Sequence, residues 1–208
     1  MSQHSEATKR VIRDIQKDGH KITPDNVVRA WHVPMTSDFP TPPGAAGRLP
    51  NMYLEKGDSR SGLIHMCDKP SKVTSWIGVG IPAEAQREKL PVLVEAATTA
   101  GRHIATQGRK NDRHVMSTYV EGRVMNTAIT VANNGYIVGA NPRSKSDIKF
   151  GPNDPGEVSS RTMQNLYSYP LNCPDRRCTD EAKKSQEMER KEPAVPKAKT
   201  SYLGRFFK

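Results

Sequence analysis

Among the side chains of this 208-residue chain, His114 and Glu121 are the pair best suited to general acid/base chemistry, an imidazole and a carboxylate seven residues apart beside Arg113 and Arg123. On a helix that spacing puts both on one face, two turns and about 10 Å apart by the helical rise. That exceeds a hydrogen bond, and no third group is placed to orient the pair. The expectation is a histidine that meets phosphate, with His114 and Glu121 held as the catalytic pair only if the protein is an enzyme.

Their surroundings favour a polyanion. Between residues 101 and 150, Arg102, Arg109, Lys110, Arg113, Arg123, Arg143, Lys145 and Lys149 face only Asp112, Glu121 and Asp147, which is +5 of the chain's net +10. Across 51–100 six acids balance six bases, so the excess is local. Cations concentrated on a segment with helix and strand signals suggest a folded surface that neutralises phosphates, with Tyr119 or Tyr136 available to stack on bases. No helix-turn-helix or RNA-binding signature is present, so binding is expected to be led by the backbone and to be weakly sequence-selective.

Other chemistries find less support. Tyr119-Val120-Glu121-Gly122, read on a helix ahead of a strand at 136–138, resembles the His-x-Glu helix of the zinc-dependent nucleobase deaminases over about 25 residues. Tyr119 stands at the metal-binding histidine position and no Cys-x-x-Cys follows, so the resemblance implies a deaminase with an altered metal site. Cys173 and Cys178 have a spacing found in zinc sites, but no second Cys/His pair of matching spacing completes four ligands. The six histidines show no His-x₃-His pair, and Gly78-Val79-Gly80 lacks the rest of a nucleotide-binding loop. No metal and no cofactor are expected.

The elements that would position these groups follow from periodicity. Ser5 caps a helix over 5–18 with Val11 and Ile15 on one face, and a second short helix is expected at 24–32, together a basic helical arm over 1–33. Residues 34–50, with five prolines, read as an extended linker. The body, 51–178, reads as α+β: strands at 52–54 and 63–66 around a polar turn, a strand at 73–81, helices at 82–104 and 113–132 packed on the small sheet, and a strand at 136–139. A flexible, disordered tail over 179–208 ends in Tyr202, Leu203, Phe206 and Phe207, a tip suited to docking.

Only 35% of residues are apolar and 6% aromatic, so the core is modest. No apolar run reaches the length of a membrane span, the first 16 residues are unlike a signal peptide, and three cysteines fit a reducing compartment. The expected protein is a cytoplasmic or, if viral, virion component: a non-enzymatic, nucleic-acid-binding, self-associating protein of coat or nucleocapsid type, RNA favoured, forming a homo-oligomer. The alternatives are a toxin-like nuclease or divergent deaminase, and a scaffold subunit meeting an acidic partner.

Overall fold

The computed structural model describes residues 4–120 and 123–144. The chain is α+β, as its sequence suggests, and among the described residues it forms four helices with two antiparallel sheets. Helix α1 (Glu6–Lys17) is capped by Ser5, whose hydroxyl accepts from the Thr8 amide at 3.2 Å, and buries Val11, Ile12 and Ile15. Those three side chains pack on Val27, Ala30 and Tyr53 of a two-stranded sheet, β1 (Val27–His32) paired with β2 (Asn51–Glu55).

β1 replaces most of the short helix expected at 24–32. Pro24 starts only a single turn, after which the β-favouring Val27, Val28 and Trp31 pair with β2. Residues 34–50 connect these two strands. They lack regular structure, as expected, but Phe39 enters the main core and the Ser37 hydroxyl donates to the Thr98 carbonyl at 2.6 Å. The arm and the body are thereby packed on each other rather than spaced apart.

Two stretches expected as strands are helical. Leu63–Met66 lies in α2 (Gly62–Cys67) and 73–78 in α3 (Pro70–Gly78). Gly62 opens α2 with φ of 79°, and a Cβ there would meet the Glu55 carbonyl at 2.8 Å and the Tyr136 hydroxyl at 2.9 Å. Only glycine accepts both the backbone angle and the approach. Pro70 suits the first turn of α3, and the hydroxyls of Thr74 and Ser75 bond back to the carbonyls of Pro70 and Ser71. Trp76 is the one fully buried residue of α3, its indole N–H donating to the Met66 carbonyl at 3.1 Å.

Helix α4 (Gln86–Ala100) runs through Pro91 and buries Leu90, Leu93, Val94 and Ala97. It lies on one face of a four-stranded meander in the order β3 (Arg102–Gln107), β4 (Arg113–Val120), β5 (Arg123–Val131), β6 (Ile137–Arg143). The helix expected over 113–132 is thus the β4–β5 hairpin. Val120 pairs with Arg123 at the end of that ladder. Among the described residues no helix is long and apolar enough to cross a membrane. The tail and its aromatic tip, Tyr202, Leu203, Phe206 and Phe207, lie outside the described residues.

Candidate nucleic-acid interface

Side chains alternate along a strand, so the meander has two faces. His114, Met116 and Thr118 of β4 lie on the α4 side with their partners Ile129, Thr127 and Met125 of β5. Arg113 and its partner Thr130 point the other way, as do Gly139, Asn141 and Arg143 of β6, which pair with Thr130, Ala128 and Asn126. Helices α2 and α3 stand along β6 and close one side of this second face.

The result is a cleft of about 470 Å³ in which Arg60, His65 and Lys72 converge with Arg113 and Arg143, while Asp112 is the one acid of its lining among the described residues. Lys72 is half-buried and donates its ammonium to Asn141 Oδ1. Burial, then Arg113, Arg143 and Lys69, hold it below the usual lysine range. Among the described residues no carboxylate pairs with Lys72, Arg113 or Arg143. Arg143 Nε is buried and has no hydrogen-bond acceptor there. Like charges a few ångströms apart near a protein surface repel by several kcal/mol, and an anion between them reverses the sign.

Of the eight cations expected at a phosphate surface, the structure brings Arg113 and Arg143 into this cleft. Arg109 and Lys110 are exposed in the turn before Arg113, where they add to its field, and Arg102 begins β3 at the opposite edge of the sheet. The side chain of Arg123, and Lys145 and Lys149, lie outside the described residues. Three cleft residues escape a reading of the sequence: Arg60, His65 and Lys72 belong to the charge-balanced segment. Two of the six balancing acids are engaged elsewhere, Asp68 with Arg87 at 2.8 Å and Glu95 with Arg29, while Asp58 accepts from the Arg60 and Ser61 amides beside the cleft.

Of the proposed acid/base pair, only the histidine lies among the described residues. His114 is buried between Phe39 and His103, at ring-centroid distances of 5.3 and 5.7 Å, on the face away from the cleft. Strand geometry also replaces the helix on which its spacing to Glu121 was reckoned, and Glu121 lies outside the described residues. The same strand removes the basis of the deaminase resemblance, because Tyr119 and Val120 are paired with β5 instead of lying on a helix. Tyr136 is held by Tyr53 at 5.5 Å and donates its hydroxyl to Ser61 at 3.0 Å, so its ring is structural.

Cys67 is buried and its thiol is pushed up to about 11 by burial and Asp68, which leaves it a protonated core residue. Cys173 and Cys178 fall outside the described residues, within which no three His, Cys, Asp or Glu side chains cluster. No protein-family model matches the chain, and no curated protein matches it.

Proposed function

We propose that the protein binds single-stranded RNA through the phosphates, in the cleft that α2 and α3 form with the β6 side of the meander. The observation that carries this reading is the convergence of Arg60, Lys72, Arg113 and Arg143 around one space with Asp112 as the one acid of its lining among the described residues. A volume of about 470 Å³ suits a nucleotide or two and excludes a duplex. Contacts of this kind bind phosphate without reading bases, so affinity depends on salt and little on sequence.

Fluorescence anisotropy with an unstructured RNA between 50 and 200 mM salt tests this. Arg113→Ala with Arg143→Ala is expected to weaken binding on the order of 10- to 100-fold and to reduce the log K against log salt slope by about 1.4, at ~0.7 per lost phosphate contact. Arg102→Ala, at the far edge, is the control and leaves both nearly unchanged. A double variant with wild-type affinity and slope removes the cleft from RNA binding.

Self-association of the coat or nucleocapsid type belongs to the same proposal and rests on the apolar heptad that closes the sequence, with Tyr202, Leu203, Phe206 and Phe207. Deleting residues 201–208 is expected to give a smaller species on size-exclusion chromatography with the melting temperature unchanged. An unchanged elution volume rules out docking by this segment.

A further inference from the structure

The cleft also holds an imidazole with one nitrogen committed and the other without a hydrogen-bond partner among the described residues. His65 Nδ1 lies 2.9 Å from the Ser59 carbonyl oxygen, which only accepts, so Nδ1 carries the hydrogen and Nε2 keeps its lone pair. The ring rests on the floor of the cleft: a Cβ added to Gly139 would stand 3.2 Å from His65 Cδ2 and 3.7 Å from Nε2. The absence of a side chain at 139 therefore lets the imidazole lie over β6. Two residues along the same face, Asn141 holds the Lys72 ammonium. One pleat repeat separates these two points, about 7 Å.

We propose that the cleft is a ribonuclease site in which His65 Nε2 accepts the proton of a ribose 2′-hydroxyl and Lys72 protonates the departing 5′-oxygen. The proposal rests on the RNA-binding reading above and adds a reaction to it. The O2′–P bond forms as the P–O5′ bond breaks, which yields a 2′,3′-cyclic phosphate and a 5′-hydroxyl. The proton taken by His65 and the one given by Lys72 are exchanged back through water.

In-line displacement puts the incoming and leaving oxygens on opposite sides of phosphorus, so a base and an acid set apart by several ångströms are what the step needs. Arg113 and Arg143, which both act on Lys72, are placed to hold the charge that accumulates on the non-bridging oxygens. Burial and these two guanidiniums ease proton loss from Lys72, in keeping with its part as the acid.

The test uses the full-length chain, a DNA oligonucleotide with one internal ribonucleotide, the all-DNA equivalent, and a 2′-O-methyl RNA as an uncleavable binding probe. Wild type is expected to cut only at the ribonucleotide, with EDTA present, and to leave a cyclic phosphate identified by mass. His65→Gln, which keeps a polar side chain over Gly139, and His65→Ala are each expected to slow cutting about 100-fold or more. Their affinity for the 2′-O-methyl probe stays within about 3-fold of wild type.

Wild-type protein that binds the probe without cutting the ribonucleotide overturns the catalytic proposal alone. Cutting of the all-DNA strand, or undiminished cutting by a folded His65→Gln, overturns it too. Failure of wild type to bind the probe at all sinks the underlying RNA-binding reading instead.

Discussion

Trp76→Ala is expected to cost about 3–5 kcal/mol of unfolding free energy, a large share of the ~5–15 kcal/mol available to a domain of ordinary stability. Trp76 is the largest fully buried side chain, packed in the core that also holds Met66, Ile81 and Leu90. Truncation leaves a cavity where α3 meets that core. It also strips the Met66 carbonyl of its donor at 3.1 Å, adding the cost of an unpaired buried acceptor. Gln86, fully buried, ties α3 to the following segment through the carbonyls of Val73 and Ile81, so α3 is expected to loosen at its end rather than detach.

Because α3 carries Lys72, the proposed affinity for RNA should fall with stability. Urea denaturation followed by circular dichroism measures the first, and anisotropy the second. Trp76→Phe, which refills most of the volume, is expected to lose less than half as much. A loss below about 1 kcal/mol for the alanine variant contradicts the packing described here.

The second large effect is acid destabilisation through His114. Burial, and then His103, hold its imidazole at about 4 against an ordinary value of 6.5, with Asp112 opposing weakly. Both ring nitrogens are buried without a hydrogen-bond partner among the described residues, so the folded state favours the neutral form. The unfolded chain takes up this proton at higher pH than the folded chain does. The stability that His114 contributes is therefore complete above about pH 6.5 and is lost as pH falls toward about 4, by about 3 kcal/mol in all.

Carboxylates titrate in the same window, so the informative quantity is a difference. His114→Leu should have a shallower fall in unfolding free energy between pH 7 and pH 4.5 than wild type, by about 2 kcal/mol. Parallel curves for the two proteins exclude a neutral buried His114 as an acid-labile element.

The elements legible in the sequence are those whose period admits one reading. Helix α1 shows its cap and its apolar spacing, and α4 is long enough to show as a helix, although the expected run to 104 overshoots it: Arg102 to Ile104 open β3 and Val92 is exposed. The β4–β5 hairpin is different. Met116, Val120 and Val124 recur every four residues, a spacing that fits both a helical face and every second step of a strand. His114 through Thr118 are all buried, on both faces of the strand, and this erases the alternation that marks a strand.

Leu63–Met66 is too short an apolar run to distinguish helix from strand, although Gly62 and Pro70 mark the starts of α2 and α3. The cleft was half visible. Arg113 and Arg143 stand out by local charge excess, whereas Arg60, His65 and Lys72 join them only through the placement of α2 and α3 along β6, which no local pattern encodes.

Adjacent in sequence, Arg113 and His114 occupy opposite sides of β4, one in the cleft and one in the core. A codon inserted or deleted inside this strand would shift every following side chain by one place, turning the guanidinium toward Phe39 and α4 and the imidazole toward the cleft. Substitutions along β4 are graded in their harm, while a change of length there exchanges the core for the cleft in a single step. The exposed turn between Gln107 and Arg113 is where this chain has room to grow or shrink without that exchange.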